Sequence, residues 1–245
     1  MISNFFSVTF YNPLYNGLVF IINHTPGADL GVAVIVFTCI VKFVLIPLSK
    51  SSVVTQLKMK ALEPELSKIK EQYASNKEEQ ARKMFEFYKV NKLNPFSGIV
   101  LLLIQLPIIL SLASIFYTSG LPNINANILY SFIPNPQTVN TFFLGLLDIT
   151  KKNIWLSIIV GVTQFIQIRY SVPAYKSTGK TGKQEDFAKS MNVQMRYTMP
   201  AIVFLISFGL TSAISLYWIT SNIFAIAQEV YFRRTFKKER EAQKK

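Results

Sequence analysis

Half of the 245 residues are hydrophobic and only 16% are charged, whereas a soluble domain of this length carries about a quarter charged residues. The net charge of +13 points to an anionic partner: nucleic acid, anionic lipid or the ribosome. A lone cysteine, Cys39, excludes an intramolecular disulfide or a cysteine metal cluster, and a lone histidine, His24, removes most zinc and acid–base schemes.

Residues 1–28 carry no Lys or Arg, so they lack the positive flank of a cleaved leader and read as a retained segment. Asn12-Pro13 and Asn16-Gly17 interrupt their apolar run. Leu18–Ile22 is too short to span a bilayer, which places 1–28 along the outer interface. The uncharged run that follows, 30–49, holds one charge, Lys42, and has the length of a membrane span. Residues 51–95 are mixed in charge. Leu62, Leu66, Ile69 and Tyr73, then Ala81, Met84, Phe85 and Tyr88, recur at helical spacing around the turn Ala74-Ser75-Asn76-Lys77. That pattern predicts a cytoplasmic helical hairpin.

A second span is expected in Ser97–Thr118, followed by an outer loop with a short apolar patch at Val139–Leu147. A third, Asn153–Ile168, is about 16 residues long, short enough to suggest a thinned bilayer. Gly179-Lys180-Thr181-Gly182-Lys183 is not a phosphate loop, because position 174 is Ala where a glycine is needed; it reads as a flexible basic loop. The uncharged run Tyr197–Gln228 is too long for one span and divides at Thr211-Ser212-Ala213 into two antiparallel helices. The expectation is an all-α integral membrane protein: an outer interfacial segment (1–28), a five-helix membrane core (29–50 and 96–232), a cytoplasmic hairpin (51–95) and a basic tail (233–245). Lys and Arg fall 23 on one side of this arrangement and 2 on the other, which puts the N-terminus outside and the C-terminus in the cytoplasm.

Lys42 is the sharpest feature. A charge inside a span costs about 3 kcal/mol on insertion scales, and such residues mostly face a bundle interior or water. No acidic residue lies within an expected span to pair with it, so a hydrated groove is the natural surrounding. Gln105, Gln164, Gln167 and Ser221 would line that groove, with Trp218 as its wall, while Tyr217 reads as packing. Other polar residues at this depth (Ser111, Ser114, Thr163, Ser215, Thr220, Asn222) read as contacts between helices, and Trp155 and Tyr170 as an interfacial belt. Nothing in the sequence supports an enzyme, a cofactor or a metal site.

Several stretches in order resemble the YidC/Oxa/Alb membrane protein insertases in their short form. "NPLYNGLVFIIN" (12–23) is similar to the family's outer interfacial helix, and "VKFVLIPLSKSSVVTQLKMKALEPELSKIKEQY" (41–73) to its first span and hairpin entry. "NKLNPFSGIVLLLIQLPIILSL" (91–112), "FFLGLLDIT" (142–150), "GVTQFIQIRY" (161–170), "MRYTMPAIVFLISF" and "LYWITSNIFAIAQEVYFRR" resemble the rest. The resemblance implies insertion of nascent membrane proteins through a hydrophilic groove facing the cytoplasm. Lys42 stands where the family usually has arginine, Gln167 matches its third-span glutamine and Trp218 its fifth-span tryptophan. Implied partners are nascent membrane proteins, the lipid bilayer and the ribosome at the basic tail. A Sec-type translocon and the signal recognition particle system remain open as further partners, and the implied place is a prokaryotic plasma membrane. Two alternatives stand beside it: a small secondary transporter or channel for an anionic solute, and an anchor whose hairpin recruits a soluble partner.

Overall fold

The computed structural model describes residues 2–94, 97–117, 121–172 and 189–242. The basic loop at 179–183 lies outside them, as do Pro95, Phe96 and the last three residues. The described residues are mostly helical, and the chain forms two compact units, residues 1–44 with 105–227 and residues 45–104 with 228–245.

The first unit begins with α1 (Ile2–Phe6) and α2 (Asn12–His24), joined by a π-turn at Ser7–Tyr11. This corrects the expectation of an interrupted segment. Pro13 has no N–H and would collide with a carbonyl of the preceding turn in a regular helix. The turn widens instead, with the Asn12 N–H reaching back to Ser7 O, and the helix runs through. Asn4–His24 is the one unbroken helix among the described residues that is long and apolar enough to cross a membrane by length and composition. The same device recurs at Gln194–Thr198, just before Pro200.

Helix α3 (Leu30–Val44) ends where the sequence predicts an unbroken run to residue 49. Pro47 explains the break: it occupies the first turn of α4 (Ile46–Ala61), where a missing N–H costs nothing. Helices α7 (Ser97–Tyr117), α8 (Ile154–Ser171), α9 (Met199–Gly209) and α10 (Ser212–Ala242) fall on the other expected apolar runs, and α9 and α10 part at Leu210-Thr211. Against the expectation of helices alone, β1 (Phe142–Phe143) pairs antiparallel with β2 (Leu147–Asp148) in the loop between α7 and α8.

Glycines set the close approaches in this unit. Gly17 on α2 admits the ring of Phe37 on α3, and Gly161 on α8 admits Phe204 on α9. Gly31 lies under Phe143, so that a β-carbon at position 31 would sit 2.5 Å from the ring. Tyr15, Leu18, Val34, Leu112, Ile149 and Ile214 fill the core.

In the second unit α5 (Glu63–Gln72) and α6 (Lys77–Val90) pack together across a short turn. Pro64 again sits in the first turn of its helix, and Asn76 caps α6 by accepting the Glu79 N–H. Gln80 Nε2 donates to Lys70 O at 2.6 Å across the pair. The apolar stripe is narrower than its spacing predicts: Leu66 is buried and Ile69, Tyr73, Met84 and Tyr88 half-buried, but Ala81 and Phe85 are exposed. On α6 the half-buried positions also include Phe87, whose ring lies edge-on to that of the adjacent Tyr88. Arg233, the first residue of the expected tail, pairs at 2.7 Å with Glu229, which is only 4% exposed.

Because Phe143 leaves no room at position 31, Gly31→Ala is expected to destabilise the protein by about 1–3 kcal/mol. Gly209→Ala, with open space around position 209, is expected to stay within about 0.5 kcal/mol of the parent. Thermal unfolding in detergent separates the two; equal melting temperatures would refute the tight contact.

Candidate functional site

Leu30, Ala33, Val34, Phe37 and Thr38 form the buried stripe of α3, while Val36, Ile40, Phe43 and Val44 are exposed. Lys42 continues the buried row one turn beyond Thr38, so its stem points inward and is half-buried. Its ammonium donates to Gln105 Oε1 on α7 at 3.2 Å. An ammonium can only donate, which fixes the amide with its oxygen toward Lys42 and its nitrogen toward Tyr217. The Gln105 amide in turn donates to Tyr217 OH on α10. Lys42, Gln105 and Tyr217 therefore form one polar string across three helices. Tyr217, 1% exposed, was expected to be packing; its ring packs, but its hydroxyl ends this string. The missing signal was tertiary, since nothing in the sequence shows that α10 sets a phenol beside Gln105.

Among the described residues no carboxylate pairs with Lys42. Its one neutral partner takes one of three N–H donors, and two remain for another group. No His, Cys, Asp and Glu group among the described residues suits a metal ion.

Of the remaining expected groove residues, Gln164 and Gln167 lie in a second string. On α8, Gln164 Nε2 donates to Gln167 Oε1 at 3.3 Å, and Gln167 Nε2 to Ser171 Oγ at 2.9 Å. Among the described residues no hydrogen bond joins this string to Lys42. Trp218 is half-buried and Ser221 buried on α10. Next to them Asn222 Nδ2 donates to Thr163 Oγ1 at 3.2 Å, linking α10 to α8. Sequence reasoning passed over Ser157 and Ser207. With Ser215 they form a buried hydroxyl cluster, 2.9 Å between Ser207 and Ser215 and 3.5 Å between Ser207 and Ser157, that ties α8, α9 and α10.

Above the helix ends, the loop from Leu121 to Thr150 is sewn down by side chains. Asp29 Oδ1 accepts the N–H groups of Gly31 and Val32, capping α3, and Oδ2 accepts the Leu144 N–H at 2.8 Å. Asn16 donates to Ile128 O and accepts the Tyr130 N–H, and Tyr15 OH accepts the Asn125 N–H. The start of α10 joins the same layer, with Ser212 N and Oγ both donating to Lys151 O. Within the loop, the Thr150 hydroxyl donates to Asp148 and holds its carboxyl below the usual carboxylate range.

Residues 21–240 match the model of the family described as 60Kd inner membrane protein. The chain belongs to this family. Similar proteins include "Membrane protein insertase YidC 1" of Bacillus anthracis, 29% identical over 94% of this chain and 82% of the relative. A "Membrane protein insertase YidC" of Fusobacterium nucleatum is 28% identical over 91% of this chain and 97% of its own length. One of that name from Francisella tularensis is 27% identical over 87% of this chain but only 34% of a longer relative. All six expected groove residues lie inside the span matched by the 60Kd inner membrane protein model.

Replacing Tyr217 with Phe removes the acceptor of the Gln105 amide and leaves a polar group unpaired. The expected loss is about 0.6–2 kcal/mol, the range between intramembrane pairs and buried orphans. Gln105→Leu removes both hydrogen bonds of the string at once, so Gln105→Leu with Tyr217→Phe should cost less than the two single losses added together. Strict additivity in thermal unfolding would mean that the string is not coupled.

Proposed function

We propose that this chain is a membrane protein insertase, acting on nascent membrane proteins through Lys42. The observation that carries the proposal is an inward-directed ammonium whose partner among the described residues is the neutral Gln105 amide, with no described carboxylate paired to it. Such a group attracts acidic residues of a translocating segment: at an effective dielectric of 20, opposite charges 4 Å apart gain about 4 kcal/mol. That recruits without trapping. Each polar backbone group left unsatisfied in hydrocarbon costs several kcal/mol, and a hydrated surface reaching partway across the bilayer shortens that path. Gln105, Gln164, Gln167, Ser221 and Trp218 would form the surface around Lys42. The insertase names of relatives that match nearly end to end support the reading.

In this reading the runs at 30–49, 97–118, 153–168, 197–210 and 212–228 cross the bilayer, and residues 1–28 lie at the outer interface although their helix Asn4–His24 is long and apolar enough to span by length and composition. The protein sits in a prokaryotic plasma membrane with the N-terminus outside and the C-terminus in the cytoplasm, as the distribution of Lys and Arg supports. The hairpin 51–95 receives substrate or targeting factors, among which the signal recognition particle system and a Sec-type translocon are the candidates. The basic C-terminal tail meets ribosomal RNA.

Lys42→Arg is expected to retain insertion of substrates with acidic translocated segments, and Lys42→Glu to lose it, in a strain depleted of its own insertase. Equal rescue by the wild type and Lys42→Glu would overturn the role of this charge. A transporter of an anionic solute would instead show solute uptake into vesicles that Lys42→Glu abolishes, with no rescue by either form.

The tail supplies a second test. Since Arg233 is held by the buried Glu229, truncation should begin at residue 237. That removes Lys237, Lys238, Arg240, Lys244 and Lys245 against Glu239 and Glu241, a net loss of three charges. Ribosome co-sedimentation should weaken and its salt dependence flatten, with thermal stability unchanged. An unaltered salt slope would mean that the tail serves only to fix topology.

A further inference from the structure

The β1–β2 hairpin carries its apolar side chains the wrong way for a protein in water. Phe143 turns inward onto Gly31, and by the alternation of a strand Phe142 and Leu144 then turn outward. The tip is Leu144-Gly145-Leu146, with Leu144 65% and Leu146 87% exposed. Leu144 is also held at φ 52°, beside Gly145 at φ 73°. At such a position a leucine's Cβ crowds the next carbonyl, and asparagine or glycine would sit there at lower cost. The chain accepts backbone strain in order to display a leucine.

The base of the hairpin is fixed. Asn140 exchanges backbone hydrogen bonds with Ala28 and Leu30 at the start of α3, and Ile149 O accepts the Ala213 N–H at the start of α10. Asp29 holds the Leu144 N–H. The tip is therefore presented by the ends of apolar helices. Just before α8, Lys151, paired with Asp148 at 3.3 Å, and Lys152 are exposed, and Trp155 in the first turn of α8 is 71% exposed. Aromatic and basic side chains side by side at the end of an apolar helix are the composition of a membrane–water interface, where the cations meet anionic headgroups.

We infer that the hairpin tip, Phe142, Leu144 and Leu146, together with Trp155, inserts into the outer leaflet of the bilayer as an interfacial anchor. The inference rests on the membrane orientation proposed above, and deepens it by naming a lipid-binding surface on the outer loop. Anchoring there would hold the layer sewn over α3 and α10 at a fixed depth, so that Lys42 keeps its distance from the outer headgroups.

The test uses the full chain with Cys39→Ser and a single new thiol, Leu146→Cys or, as control, Asn135→Cys on an exposed polar part of the same loop. Each carries a nitrobenzoxadiazole label and is reconstituted in vesicles of phosphatidylcholine and phosphatidylglycerol, with iodide on both sides. The label at 146 is expected to be quenched several-fold less by iodide than the label at 135. It should be quenched several-fold more by lipid spin-labelled near the headgroup end of its acyl chain. Equal iodide quenching at both positions would place the tip in water and overturn the inference. Protection from iodide that grows with the protein-to-lipid ratio, without lipid quenching, would assign the tip to a second copy of the chain and overturn it as well. Neither result depends on insertion activity, so a tip found in water leaves the insertase reading standing. A lipid-quenched tip in a protein that fails the rescue assay would overturn only the latter.

Discussion

The carboxylate of Asp29 organises the first unit. A buried charge is tolerated only when it is fully hydrogen-bonded, and Asp29 meets that condition with N–H groups from segments 115 residues apart in sequence, Gly31 and Val32 on one side and Leu144 on the other. One side chain thereby caps α3 and pins the loop that follows α7. The helix direction set at Asp29 carries about 20 Å along the axis to Lys42. Asn16 and Ser212 repeat the arrangement on α2 and α10, with side-chain amide and hydroxyl groups in place of the carboxylate.

What Lys42 meets at the other end of α3 is neutral. A carboxylate partner would lock the ammonium in an ion pair that is costly to break once buried. The Gln105 amide satisfies one donor without neutralising the charge, and its own NH2 is satisfied by Tyr217. The ammonium is oriented, and no carboxylate among the described residues neutralises it. The serine cluster and the Asn222–Thr163 bond serve a different end: they join α8, α9 and α10 through small polar groups that permit close helix contact.

Proline positions govern how the helices are cut and joined. Pro47 and Pro64 each lie in the first turn of a new helix. Pro13 and Pro200 follow π-turns that let the helix continue. The residue is the same in all four cases and the outcome differs, because the backbone can either restart the helix or widen the turn before the ring. The proline alone does not say which, so the expected interruption at Asn12-Pro13 is absent from the structure, while the expected split at Thr211 is present.

By itself the sequence determined the helical class, the apolar runs, the hairpin, the charge asymmetry and the position of the one ionisable group within a run. These are carried by composition and by periodicity within single segments. Pro64, Asn76 and Asn153 open or cap their helices through their own backbone neighbours, which is local chemistry. The tertiary structure alone decided that Lys42 meets Gln105, that Gln105 meets Tyr217, and that Asp29 holds the β1–β2 hairpin at Leu144. Each depends on which faces of distant helices come together. Hydrogen bonds and side-chain contacts act over only a few ångströms, so pairs such as Lys42 with Gln105 or Asp29 with Leu144 exist only once packing has brought the segments within reach.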